Sequence, residues 1–150
     1  MGKNKSFLGK VLTLAGAFVV ANFAGGICIG KLNEAKMKEN ENANNFMHSL
    51  ILKKGTVDIA ADTQFAYITC LTAGADITVP VPEKDVMTVE ITSLFSDIKI
   101  HVPQDVKVTF EGPNYTENTE TDANITDADD LPKIHFVTTG CKASKVAFVE

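Results

Sequence analysis

The pattern of apolar and polar positions divides the chain into a long apolar run and a longer region of alternating residues. The run VLTLAGAFVVANFAGGICIG, residues 11–30, contains no charged residue. At 1.5 Å rise per residue, an α-helix of that length covers a hydrocarbon core of about 30 Å. We therefore predict one membrane-spanning helix over 11–30, with a basic head at 1–10 and a polar helical linker at 31–54.

A cleaved signal peptide is the main alternative for the apolar run. A short basic head before an apolar stretch also opens secreted chains, and Ala24-Gly25-Gly26 is small enough for a peptidase. The run continues beyond that site through Ile27 and Ile29, which favours an uncleaved single-pass anchor in the cell membrane. Lysines flank both ends, so the positive-inside rule gives no clear direction, and the acid-free head only slightly favours an outside location for the rest.

Small residues recur within the apolar run at a spacing that brings helices together. Ala17, Ala21 and Gly25 lie four residues apart, and Asn22 lies near the middle of the run. Such spacing permits close helix approach, and an amide in the membrane gains by bonding across the contact. This predicts a homo-oligomer. The alternative is that small residues are simply common in such helices and that Asn22 bonds its own backbone.

After Gly55 the apolar residues alternate with polar ones, which is typical of strands buried on one face. We predict an all-β domain over 55–150. The alternating sets are Val57/Ile59, Ile68/Cys70, Ile77/Val79/Val81, Val89/Ile91, Ile98/Ile100/Val102, Val106/Val108/Phe110, Ile134/Phe136 and Val146/Phe148.

A repeat of about 20 residues lies inside this alternation. Placing residues 67–83 over 88–104, with a shift of 21, aligns Ile68 with Val89 and Asp76 with Asp97. A looser third copy, HFVTTGCKASKVAFVE, ends the chain. Strand, turn, strand and proline turn at this period indicate a small β-solenoid or prism rather than a sandwich. The turns of the repeat are assigned to Gly74, Asp76, Pro82, Ser96, Asp97 and Pro103.

The segment VEITSLFSDIKIHVPQDVKV at 89–108, preceded by ITCLTAGADITVPVPEKDVMT at 68–88, resembles the C-terminal domain of the bacterial cell-wall-active antibiotics response (LiaF-like) family. That family repeats a strand, an aromatic-glycine-glycine turn, a strand and a Val-Pro-Glu-Asp motif. Here the glycine pair is replaced by Ser96-Asp97 in one copy and Gly74-Ala75 in the other, and one apolar run replaces several spans. The resemblance implies a domain at the bacterial envelope that acts on a signalling system, such as a sensor kinase, by protein contact.

Composition disfavours several functional classes. The formal charge of -5 disfavours nucleic acid, and every basic residue is a lysine, so bidentate guanidinium recognition of anions is absent. The sequence contains no GxSxG, GxxxxGK[ST] or HExxH motif. We therefore predict a protein that is not an enzyme and has no cofactor.

Three further features carry weaker chemical hypotheses. His101 and His135 occupy outward strand positions and would form a metal pair only if adjacent coils brought them together; solvated side chains are the alternative. The acidic stretch 111–130 has the composition of a calcium site without the spacing of an EF-hand loop. Cys70 and Cys141 are either a disulfide or buried free thiols.

These observations predict a membrane-anchored, non-catalytic interaction or regulatory protein of the bacterial envelope. One alternative is a structural scaffold, similar to bactofilins, whose solenoid polymerises through unpaired terminal strands around Val57 and Val146. Another is a surface adhesin-like head, which requires the β domain to be outside the cell.

Overall fold

The computed structural model describes residues 3–112, 119–121, 130–142 and 144–149, with side chains described over 17–112, 130–139 and 144–149. One helix is followed by ten strands. Their bounds are α1 Lys3–Glu39, β1 Asn45–Ile51, β2 Lys54–Asp58, β3 Phe65–Leu71, β4 Gly74–Thr78, β5 Val86–Leu94, β6 Asp97–His101, β7 Lys107–Glu111, β8 Thr119–Thr121, β9 Lys133–Lys142 and β10 Lys145–Val149.

The strands form two parallel five-stranded sheets that meet at a corner. Sheet A has the order β1-β3-β5-β9-β7 and sheet B has the order β2-β4-β6-β10-β8. Each coil of the chain therefore gives one strand to sheet A and the next to sheet B. The pairs β1–β2, β3–β4 and β5–β6 stack in chain order as about three turns of a β-solenoid. The predicted β-solenoid is confirmed.

Apolar side chains of equivalent positions stack between the two sheets. In sheet B, Val57, Ile77, Ile100 and Phe148 occupy one inward row, and each is at most 2 % exposed. Phe136 of sheet A meets Phe148 edge to face at 5.1 Å between ring centroids. Burying each such side chain contributes roughly 1.5–3 kcal/mol, so these rows form the main stabilising core.

The register between the second and third coils differs from the predicted shift of 21 residues. Ile68 pairs with Ile91, so the shift is 23, and Asp76 lies opposite Lys99 rather than Asp97. A shift of two residues keeps every side chain on the same face of a strand, so the alternation cannot distinguish the two registers. The structural register instead places an acid beside a lysine.

The corner between the sheets repeats the same backbone geometry in three coils. Leu52, Thr72 and Phe95 occupy equivalent positions and have φ of 54°, 49° and 48°. These corner residues also link adjacent coils, because Leu52 N–H donates to Leu71 O and Thr72 N–H donates to Leu94 O. The left-handed turn is therefore built from residues other than glycine.

A hydroxyl ladder supports the same corner. Ser96 Oγ accepts from Ala73 N–H at 3.1 Å and lies 2.9 Å from the carbonyl oxygen of Cys70, to which it donates. Ser144 Oγ accepts from Ser96 N–H at 3.2 Å in the next coil. Of the predicted turn residues, Ser96 lies in the corner, Gly74 and Asp97 begin strands, Asp76 lies within β4, and Pro82 and Pro103 lie in the connections after β4 and β6.

The C-terminal strands do not lie at the end of the stack. β9 pairs with both β5 and β7, and β10 pairs with both β6 and β8. The looser third copy of the repeat is thus a coil, but it is inserted between the third coil and β7–β8. Val146 consequently lies in an internal strand, whereas Val57 lies in the terminal strand β2.

Residues 31–54, predicted as a polar helical linker, divide between helix and strand. The helix ends at Glu39, and Asn45–Ile51 forms β1, the first strand of sheet A. Phe46 and Leu50 point into the core from alternate positions of this strand. The solenoid therefore begins ten residues before the predicted boundary at Gly55.

Within helical residues 17–39, no stretch is long and apolar enough to cross a membrane.

Candidate functional site

The C-terminal half of α1 packs along the outer face of sheet A. Strand β3 shows this most clearly, because its outward residues Tyr67, Thr69 and Leu71 are as buried as its inward ones. The core buries one face of the strand and α1 buries the other. A half-buried sheet strand would leave the outward residues in water.

Polar side chains of α1 face the domain. Asn22 is 6 % exposed and accepts a hydrogen bond of 3.0 Å from the Thr72 hydroxyl. Asn33 is 4 % exposed and donates to Thr69 Oγ1 at 3.5 Å. A salt bridge joins Lys36 to Glu90 of β5. These contacts fix the helix to the sheet through hydrogen bonds and charge.

Two glycines allow the helix to approach the sheet closely. A Cβ atom on Gly26 would lie 2.3 Å from Ile51 Cδ1, while one on Gly25 would lie 3.8 Å from Leu71 Cδ1. In contrast, a Cβ on Gly30 would meet nothing within 4 Å. Of these three glycines, Gly26 is therefore the one that leaves no room for a side chain between α1 and Ile51 of β1.

The opposite face of α1 is apolar and exposed. Val20 is 66 % exposed and Ile27 is 61 % exposed. In a helix on the surface of a water-soluble domain, the apolar stripe faces the core and the polar face lies outside. Here the order is reversed over residues 20–27, where Val20, Phe23 and Ile27 lie opposite the sheet. The exposed large apolar residues of the whole helix are Phe18, Val19, Val20, Phe23, Ile27 and Leu32.

The four residues predicted to pair helices divide between these two faces. Ala17 and Ala21 are exposed, whereas Asn22 and Gly25 lie toward Leu71 and Thr72 of the same chain. Asn22 also donates from Nδ2 to its own helix at Phe18 O, 2.9 Å away. Of the three small residues only Gly25 lies at the contact between helix and sheet, and self-association stays a prediction.

An apolar groove of about 370 Å³ runs between α1 and the corner of the third coil. Phe18, Ala21 and Ile29 line its helix side, and Leu94 and Phe95 line its sheet side. Buried Ser93 also borders this groove, and its Oγ has no hydrogen-bond partner among the described residues. The groove therefore continues the outward apolar face of α1 onto the solenoid.

Lysines border the corner on its other side. A second, more open cavity is lined by Leu52 and Phe95 together with Lys53, Lys54 and Lys145. Asp97 belongs to the same lining and lies opposite Lys145 in the ladder. The corner thus carries three ammonium groups and one carboxylate around an exposed aromatic ring.

Tyr67 is an ionisable group whose pKa is changed by its surroundings in the fold. Burial raises the pKa of its phenol above the usual value of 10.0, a hydrogen bond with Asn40 opposes this rise, and the charge of Glu90 adds to it. The neutral phenol is therefore the stable form beneath α1.

The two outward histidines lie in different sheets. His101 Nε2 in sheet B is 3.5 Å from Asp76 Oδ1. His135 in sheet A has Nδ1 2.7 Å from Thr109 Oγ1 and Nε2 3.1 Å from Glu111 Oε2. They do not form a pair, and the described part of the chain holds no group of three or more metal-ligating side chains. The Thr109–His135–Glu111 chain links the last two coils and was not foreseen from the sequence.

The remaining predicted features lie partly outside the described residues. Cys70 is buried, and the side chain of Cys141 lies outside the described residues, so the pairing of these two cysteines stays a prediction. Cys28 is exposed on α1. Most of the acidic stretch 111–130 lies outside the described ranges, and so does the calcium hypothesis that depends on it.

The fold places the domain in the class of parallel β-solenoids with a helix docked on one sheet. No protein-family model, curated protein or solved structure matches the chain.

Proposed function

We propose that the protein is a membrane-tethered, non-catalytic interaction protein that is held on a bilayer by the outward face of α1. The observation that carries this proposal is the reversed polarity of the helix. Asparagines point at the protein while Val20, Phe23 and Ile27 point away from it. A lipid bilayer favours this arrangement, because lipid solvates the apolar side of the helix while the polar side chains keep their hydrogen bonds to the protein.

The size of the exposed face supports the same conclusion. Contiguous apolar patches on soluble monomers rarely exceed a few hundred Å², and larger ones mark contact with membranes or proteins. α1 exposes six large apolar residues within fifteen positions, among them Val20, Phe23 and Ile27 on the outward face, and the groove beside Phe95 adds to this apolar surface.

The docking contacts constrain how α1 meets the bilayer. Residues 22–30 belong both to the predicted span at 11–30 and to the contact with β1 and β3. While they are docked, only residues 11–21 of the run remain, and these cover roughly 16 Å, about half of a hydrocarbon core. We propose that docked α1 lies along the membrane interface and that a full single-pass crossing requires residues 22–30 to leave the sheet.

We assign the interaction role to the solenoid. The resemblance of 68–108 to the LiaF-like family favours a bacterial envelope location and a signalling partner, such as a sensor kinase, bound by protein contact. End-to-end polymerisation is the alternative, and its interfaces would be the β1–β2 end and the β7–β8 end of the stack.

Vesicle flotation of the full chain tests the tether. Val20→Asn with Ile27→Asn should abolish co-flotation with phosphatidylcholine vesicles, because both changes place amides in the proposed lipid contact. Val81→Asn with Val86→Asn is the matched control, since these valines are also exposed but lie away from α1. Failure of the unaltered chain to float, or equal flotation of the two variants, would refute the tether. Concentration-dependent filaments in the same preparation would instead support the scaffold.

A further inference from the structure

Phe95 connects the two surfaces described above. It lines the apolar groove together with Phe18 of α1, and it lines the cavity bordered by Lys53 and Lys54. An aromatic ring between an apolar surface and ammonium groups is the arrangement found where proteins meet the headgroup region of a bilayer.

The position of Phe95 is unfavourable for the isolated domain in two respects. Its φ of 48° lies in the left-handed region, which is unfavourable for a residue other than glycine. Its ring is also 56 % exposed to solvent. Thr72 occupies the same corner position in the preceding coil. Its side chain is partly buried and donates a hydrogen bond to Asn22. The fold of the domain alone therefore does not account for a large exposed ring at this corner.

The charge around Phe95 opposes that of the whole chain. The chain carries a formal charge of -5, yet Lys53, Lys54 and Lys145 border this corner against one carboxylate, Asp97. Lysines close to a membrane are attracted to an anionic bilayer surface. The corner is thus complementary to anionic lipid headgroups.

We propose that the corner formed by Leu52, Lys53, Lys54, Phe95 and Lys145 lies on an anionic lipid surface and fixes the orientation of the solenoid. Phe95 enters the interface beside Phe18, and the ammonium groups of Lys53 and Lys54 meet lipid phosphates. This inference rests on the proposed function, because α1 must first bring the domain to the bilayer. It places the connection at 79–85, at the far end of the strands, away from the membrane.

Tryptophan fluorescence tests the contact directly, because the chain contains no tryptophan. Phe95→Trp in the full chain should show a blue-shifted emission on vesicles and quenching by brominated phosphatidylcholine. Val81→Trp is the matched control, since Val81 is exposed in the connection at 79–85 and should stay unquenched. Should Phe95→Trp prevent folding, Leu52→Trp reports from the equivalent corner of the first coil.

Lysine neutralisation tests the headgroup preference. Adding phosphatidylglycerol to the vesicles should increase the quenching of Trp introduced at position 95. Lys53→Gln with Lys54→Gln should remove that increase, whereas Lys84→Gln with Lys99→Gln, the same change in charge elsewhere, should leave it. Co-flotation with an unquenched corner reporter, or an unchanged phosphatidylglycerol response in the first lysine variant, would overturn the inference while the tether stands. Absence of flotation would refute the tether itself.

Discussion

The hydroxyl of Thr72 donates a 3.0 Å hydrogen bond to the side-chain oxygen of Asn22 and thereby joins the solenoid corner to the helix. Thr72 lies at one of the three left-handed corner positions, and Asn22 lies in the middle of an apolar run. The only side-chain amide in residues 11–30 is thus hydrogen-bonded to a distant residue of the same chain.

We predict that Asn22 and Thr72 are energetically coupled. A cycle of Asn22→Ala, Thr72→Val and the double variant should give a coupling of about 0.5–1.5 kcal/mol in urea unfolding in detergent, because each single change removes the same bond. Asn22→Ala with Thr78→Val is the control, since Thr78 is exposed in sheet B. Additive effects in the first cycle would show that the bond contributes nothing to docking.

The close approach at Gly26 gives a second prediction. Gly26→Val should destabilise the docked helix by about 1–3 kcal/mol, because the new side chain must displace Ile51. Gly30→Val carries the same change in helix propensity into open space and should be tolerated. Hydrogen exchange of the β1 and β3 amides measures the docking. Equal exchange in both variants would mean that the helix does not pack at Gly26.

Two buried serines of the same coil should respond in opposite directions. Ser96→Ala removes the acceptor of Ala73 N–H, and a buried unpaired donor costs about 1–3 kcal/mol. Ser93→Ala removes a buried hydroxyl that has no hydrogen-bond partner among the described residues, so stability should stay equal or rise. Thermal unfolding of the two variants compares them, and a larger loss for Ser93→Ala would contradict the assigned hydrogen bonds.

Tyr67 makes stability depend on alkaline pH. Its pKa is raised in the folded chain, so its contribution to stability is complete below about pH 10, the usual tyrosine value, and is lost as pH rises through the folded pKa. Tyr67→Phe should therefore lose less stability than the unaltered chain on the alkaline side of pH 10. Urea unfolding on both sides of that pH measures the difference, and parallel curves would show that burial does not hold the phenol neutral.

The alternation of apolar residues predicted eight of the strands, because one-sided burial leaves a clear period of two. Strand β1 was missed because Phe46 and Leu50 follow directly on a helical, polar stretch. Strand β8 was missed because Thr119–Thr121 contains no apolar residue. The register was misjudged by two residues, since pairing Ile68 with Val89 or with Ile91 buries the same faces.

The sequence predicted less of the candidate site than of the fold. Asn22 was recognised as unusual, but its partner Thr72 is fifty residues away and depends on the path of the helix over β3. Nothing local marks Phe95 as a left-handed corner residue, because glycine is absent there. That the exposed side of α1 is apolar can be recognised only from the structure, which shows which side of the helix the sheet covers.

The insertion of β9 and β10 between earlier coils affects how the protein is made. β7 and β8 leave the ribosome before β9 and β10, the strands with which they pair, so they cannot join the two sheets until residues 133–149 emerge. A chain that ends before Lys133 should retain three stacked coils with β7–β8 unattached. The coil β7–β8 thus joins the stack only after β9 and β10 have been made, unlike the coils of a solenoid which lengthens one coil at a time.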